Sequence, residues 1–115
     1  MTVTIFHNAQ CGTSRNVLQA LESRGADPLV VEYLKTGWTK AQLKELFKAM
    51  GKTPRQMLRV KNSPAEELGL TQPGVRSEKI LNAMVKHPIL VERPIVVTAK
   101  GTALVRPLEV LETLL

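Results

Sequence analysis

Apolar residues in this chain fall first in short β-branched runs, then at helical spacing, then in short runs again. Val3 to His7 reads as a strand. Polar and small residues from Asn8 to Gly12 form a turn. Beyond it, Val17, Leu18 and Leu21 share a helical face, with Thr13 or Ser14 placed to cap the helix and Gly25 to stop it. Leu29 to Leu34 reads as a second strand. The chain thus opens β-α-β, with a connection long enough for parallel pairing.

The middle is helical. Thr39 and Gln42 have capping-box spacing, Leu43, Leu46, Phe47 and Met50 form an apolar stripe, and Gly51 stands where that helix should end. Thr53-Pro54 is a cap followed by a proline suited to a first helical position. Ser63, Pro64 and Glu66 repeat that logic for a short turn ending near Gly69, and Gln72-Pro73-Gly74 is a loop. Ser77 starts a further helix with Ile80, Leu81, Met84 and Val85 on one face, closed by His87-Pro88.

The end returns to strands. Ile95 to Thr98 and Thr102 to Val105 flank a Lys100-Gly101 turn and make a hairpin, and Pro107 can begin a last helix carrying Val110, Leu111 and Leu114. The order β-α-β, helical insert, β-β-α predicts an α/β fold. Its centre is a four-stranded mixed sheet with helices on both faces. The expectation is one domain over residues 1–115, with the insert at about residues 39–86.

Composition narrows the function classes. An apolar fraction of 43% supports a core, built mainly from aliphatic residues because only Phe6, Tyr33, Trp38 and Phe47 are aromatic. Met1 to His7 lack the basic start and apolar stretch of an export signal, and no apolar run approaches the roughly 18 residues of a membrane span. A soluble, cytoplasmic protein that does not engage a membrane is expected. The single cysteine excludes an internal disulfide, so an oxidised Cys11 must be reset by an external thiol. A net charge of +6 favours anionic partners. Nucleic acid is one such class, but so few aromatics argue against a stacking platform for single strands. One cysteine and two histidines fall short of the usual four-ligand structural zinc site, so no metal is expected.

The chemistry concentrates between the first strand and the first helix, where α/β folds hold ligands. There the sequence is His7-Asn8-Ala9-Gln10-Cys11-Gly12-Thr13-Ser14-Arg15. A cysteine just ahead of a helix faces unsatisfied N–H groups and the positive end of the dipole, which favour thiolate over thiol. Gly12 permits close approach of a ligand to the backbone. His7 and Arg15 can add positive charge, and Ser14 can donate a hydrogen bond to the sulfur or cap the helix. The plainer alternatives are a buried apolar Cys11, a backbone-bonded His7, a Ser14 that only caps and a solvated Arg15. The polar turn around Cys11 argues against the first. A Cys-x5-Arg phosphatase is disfavoured because Arg15 follows Cys11 by four positions. Three arginines stand at element ends: Arg59, Arg93 before Pro94, and Arg106 before Pro107. Arg93 and Arg106 bracket the hairpin, whose pairing would bring them to one site. The guanidinium fork suits a tetrahedral oxyanion, although element-end arginines are often plain surface residues.

Four stretches in order carry a family resemblance: HNAQCGTSRN from His7, MLRVKNSPAEELG from Met57, HPILVERPIVVT from His87 and GTALVRPLEV from Gly101. Together they resemble the glutaredoxin-dependent arsenate reductases over nearly the whole chain. The resemblance implies a thioredoxin-like fold with a helical insert. It implies Cys11 as the nucleophile that attacks arsenate and His7 as the residue that helps keep it ionised. Ser14 and Arg15 match the thiolate loop, Arg59, Arg93 and Arg106 match oxyanion-binding arginines, and Pro94 matches a cis-proline beside the cysteine. It also implies glutathione as co-substrate, glutaredoxin as partner and no tightly bound cofactor. The chain departs from the family at Ala9, where a proline is usual, and at Val60, where a basic residue is common.

Two other readings stand beside this one. A glutathione-dependent thiol reductase of the same fold would use Cys11 but leave the three arginines without a purpose. A regulator that binds RNA polymerase would lack a dithiol switch, because Ser14 occupies the second position of the Cys-x-x-Cys motif.

Overall fold

The computed structural model describes residues 2–115. The chain divides into two units: the segment ending at Thr36 together with Arg93–Leu115, and Gly37–Glu92. No helix among the described residues is long and apolar enough to cross a membrane.

The first unit is built on a four-stranded mixed sheet. Its strands are β1 (Thr4–His7), β2 (Leu29–Glu32), β3 (Ile95–Thr98) and β4 (Gly101–Leu104), in spatial order β2-β1-β3-β4. β1 runs parallel to β2 and antiparallel to β3, and β3 and β4 form the hairpin. The helix α1 (Gly12–Ser23) supplies the crossover from β1 to β2. It buries Val17 and Leu21 in one cluster with Val3, Ile5, Val96, Val105, Leu111 and Leu114. α1 ends in paired bonds from Gly25 N–H to Glu22 O (3.0 Å) and from Ala26 N–H to Leu21 O (3.1 Å). That closure needs the left-handed backbone Gly25 adopts, φ +79°.

Several boundaries differ from the sequence expectation, each for a local reason. The second strand stops at Glu32, where its partner β1 ends at His7, and Tyr33–Thr36 turns into a short helix, α2. The N-cap of α1 is Cys11, not Thr13 or Ser14. A tight turn, Cys11 N–H to Asn8 O at 3.0 Å, lets the helix begin at once. The returning hairpin strand is shifted by one residue, because Thr98 pairs with Gly101. The segment after Pro107 is a 3-10 helix, Leu108–Thr113, and not an α-helix. Its N–H groups reach back three residues, as in Val110 to Pro107 O at 3.1 Å.

The second unit holds α3 (Lys40–Met50) and α4 (Ser77–Lys86). Leu43 and Phe47 are buried on α3, and Ile80, Leu81 and Met84 on α4; Val85, expected on that apolar face, is 37% exposed. Thr53 and Gln56 exchange side-chain-to-backbone bonds of 2.8 and 3.2 Å in capping-box fashion. No regular helix follows them, because the chain enters a bridge between Leu58 and Val91. Thr39 caps α3 by accepting the Gln42 N–H at 3.1 Å, and Gly51 closes it at φ +68°. Thr39→Ala is expected to cost about 1 kcal/mol of unfolding free energy. Urea denaturation followed by circular dichroism checks this, and an unmoved midpoint would mean that the cap contributes nothing.

Candidate active site

The loop between β1 and α1 is tied to itself through Asn8, a residue not singled out by its sequence. Asn8 is 3% exposed. Its side-chain oxygen accepts the Gln10 N–H at 2.9 Å, its carbonyl accepts the Cys11 N–H, and its own N–H reaches Ser14 Oγ at 3.1 Å. An asparagine opening a turn is the one signal that pointed to this role. The loop holds Cys11 at the N-terminus of α1, partly exposed and free.

Two arginines meet at that sulfur. Strand register sets Ile95 opposite Leu104, so Arg93 and Arg106 flank the open end of the hairpin. Arg106 Nη1 lies 3.6 Å from Cys11 Sγ and donates to the Arg93 carbonyl at 2.9 Å. Arg93 is buried, and the Arg93–Pro94 peptide is cis. The Arg106–Pro107 peptide is cis as well, which the sequence did not indicate.

Opposing effects act on the thiol. Burial pushes the Cys11 pKa up. Against it work the Ser14 backbone N–H, hydrogen bonds from Arg106 and Arg93 and the charge of Arg93, and the net result is a pKa below the ordinary thiol value. The Cys11 side chain makes no cap bond, so the Ser14 N–H acts through its partial charge at the helix start. The thiolate fraction rises with pH and reaches half at a lower pH than for a free thiol. The iodoacetamide alkylation rate of Cys11 is therefore expected to show a midpoint clearly below about 8.5. A midpoint at or above that value would mean that burial wins.

His7 departs from the expectation that it adds positive charge. Only 5% exposed, it has its pKa lowered first by burial and then by Arg15, against an opposite pull from Glu32. Its ring is thus largely neutral at neutral pH. His7 Nδ1 lies 2.6 Å from Ser14 Oγ. Ser14 is fully buried inside the first turn of α1, with its hydroxyl turned inward to Asn8 and His7 instead of capping the helix end.

Arg15 folds back on the loop, its Nη1 donating to Ala9 O at 2.9 Å. A Cβ on Gly12 would meet only Arg15 Nη2, at 3.8 Å, so the protein itself does not require glycine there. Arg59 belongs to the second unit. Its Nη1 donates to Glu92 at 3.1 Å and its Nε to Lys61 O at 3.1 Å, so the cation already has an acidic partner that its sequence neighbours did not suggest. The antiparallel bridge between Leu58 and Val91 brings the two segments together, with Arg59 N–H donating to Leu90 O at 2.7 Å and Glu92 N–H to Met57 O at 2.9 Å, so Arg59 and Glu92 lie diagonally across the pair. Among the described residues, no three His, Cys, Asp or Glu side chains gather as a metal site would need.

Comparison with known proteins adds the family. The model of the ArsC family matches residues 6–114. The chain belongs to the ArsC family. Arsenate reductase ArsI2 of Synechocystis sp. is 56% identical over 113 residues, covering 98% of this chain and 81% of that protein. The arsenate reductase of Escherichia coli K12 is 44% identical over 108 residues, covering 94% of this chain and 77% of that protein. Among solved structures, arsenate reductase from Vibrio cholerae superposes with a TM-score of 0.93 at 37% identity, covering 100% of this chain and 98% of that one. The mixed sheet with its helices is thus the thioredoxin-like fold of this family.

Proposed function

We propose that this chain is a cytoplasmic arsenate reductase, with Cys11 as nucleophile and glutathione and glutaredoxin as the reducing thiols. The observation that carries the reading is a cysteine at a helix N-terminus with an arginine Nη1 at 3.6 Å, an arrangement suited to both thiolate and oxyanion. The names of the relatives support arsenate as the substrate.

The steps balance as follows. Arsenate docks on Arg93 and Arg106, and the Cys11 thiolate displaces one oxygen as water, forming a sulfur–arsenic(V) bond. Glutathione replaces a second oxygen, again releasing water. The glutaredoxin thiolate then attacks the glutathione sulfur. The arsenic–sulfur bond to glutathione breaks and its electron pair stays on arsenic, which becomes As(III), while glutaredoxin and glutathione leave as a mixed disulfide. Hydrolysis frees arsenite and returns Cys11. Both electrons come from external thiols, as they must where Cys11 is the only cysteine. Arg59 and Arg15 are assigned to the oxyanion and the thiolate loop by the family resemblance alone.

The test is arsenate-dependent NADPH oxidation, coupled through glutathione reductase with glutathione and glutaredoxin supplied. Turnover lost on omitting glutaredoxin supports the whole scheme. Turnover that persists without it keeps arsenate and removes glutaredoxin. No turnover with a reactive Cys11 removes the arsenate reading.

A further inference from the structure

His7 ends β1 and Glu32 ends β2, and the parallel register sets the two residues side by side. A cavity of about 380 Å³ opens at these strand ends, with His7, Asn8, Glu32 and Lys35 in its wall. His7 lines it and Cys11 does not. Neither Glu32 nor this cavity has a part in the chemistry described above.

We propose that Glu32 is a positioning residue that acts on the Cys11 site through His7, with the cavity at the ends of β1 and β2 as the path by which water exchanges the imidazole proton. The link from ring to sulfur runs through Ser14. Its hydroxyl takes the Asn8 N–H and stands 2.6 Å from His7 Nδ1, while its backbone N–H favours the Cys11 thiolate. A neutral ring with a bare Nδ1 accepts the Ser14 O–H. A protonated ring donates its Nδ1–H instead, which reverses that bond and sends the hydroxyl proton elsewhere. Protonation also adds a positive charge beside the loop.

The charged groups around His7 come from three elements. Glu32 on β2 favours the protonated ring, and Arg15 on α1 opposes it. Lys35 on α2 lies 3.3 Å from Glu32 and partly neutralises its carboxylate. The β3 residues opposite β1, Ile95 to Val97, carry no charge. Cys11 itself is the remaining titrating group on the loop. Glu32 and Lys35 should therefore act on His7 with opposite signs, which a merely structural role for either would not produce.

The test follows the His7 ring protons by NMR titration of the full chain, with His87, the only other histidine, as internal control. Glu32→Gln should lower the His7 midpoint by about half a unit or more. Lys35→Met should raise it. Because His7 protonation changes the loop beside the sulfur, the pH profile of Cys11 alkylation should carry a second inflection below that of the thiol. This lower inflection should follow His7 in both variants, while the upper one stays near its wild-type position. Alkylation needs no arsenate, so the outcome is independent of the proposed turnover. An unmoved His7 midpoint in Glu32→Gln, a shift of the same sign in both variants, or a lower inflection that ignores His7 overturns the proposal. If circular dichroism shows Glu32→Gln unfolded, Lys35→Met decides alone, and no upward shift there overturns it.

Discussion

Cys11→Ser is expected to abolish arsenate-dependent turnover, with a loss of at least about a thousandfold. The chain has no second thiol to take over the arsenic bond. A serine hydroxyl at the same place meets the same Ser14 N–H and the same arginines, but it does not ionise near neutral pH. Its oxygen would also give an arsenate ester that exchanges with water, so the metalloid would not stay bound to the protein for glutathione and glutaredoxin to act on it. The change should leave the fold intact. Cys11 is partly exposed and sits at an N-cap position, where serine is a favoured residue. The coupled NADPH assay reads the first effect and a thermal melt the second. Retained turnover in a well-folded variant would place the chemistry outside this cysteine.

Arg106→Ala carries the second large effect. Arg106 Nη1 reaches the sulfur at 3.6 Å and also braces the Arg93 carbonyl at 2.9 Å. Its removal takes away one of the groups that hold the thiol pKa down, so the alkylation midpoint should move up. It also removes a donor to the oxyanion. A charge-assisted hydrogen bond is worth about 1.5–3 kcal/mol, which corresponds to a loss in kcat/KM for arsenate of roughly tenfold to a hundredfold. Arg106→Lys separates the two roles. It keeps the charge, and so much of the thiolate stabilisation, but lacks the planar fork that can bond both partners. It should restore the alkylation midpoint more fully than arsenate turnover. Unchanged kcat/KM together with an unchanged midpoint in Arg106→Ala would return this residue to the ordinary surface.

Features with short-range causes were legible in the sequence. The first strand, expected from Val3 to His7 and found at Thr4–His7, the stripe of α1, the Gly25 and Gly51 stops and the Thr39 cap each depend on residues a few positions apart, and each is found in the structure. The position of Cys11 at the start of a helix was legible for the same reason. Errors fell where a distant partner sets the outcome. Leu29 to Leu34 has the residues of a strand throughout, but pairing ends where β1 ends, at the match of His7 with Glu32. Ser14 looks like a cap in isolation, yet the buried His7 ring draws its hydroxyl inward.

The sequence by itself thus determined the elements, their order and the residue types available for thiol and oxyanion chemistry. Only the tertiary structure decided which of those residues act on one another. Arg106 reaches Cys11 across 95 positions of chain because antiparallel β3 and β4 return it to the sheet end where α1 begins. Arg59 meets Glu92 across 33 positions because a single bridge aligns two loops. Folding buries His7 and so lowers its pKa, although its place in the sequence suggested added positive charge. Helical period and capping are set by neighbours within a turn or two, whereas charge pairing and desolvation are set by whatever the folded chain brings alongside.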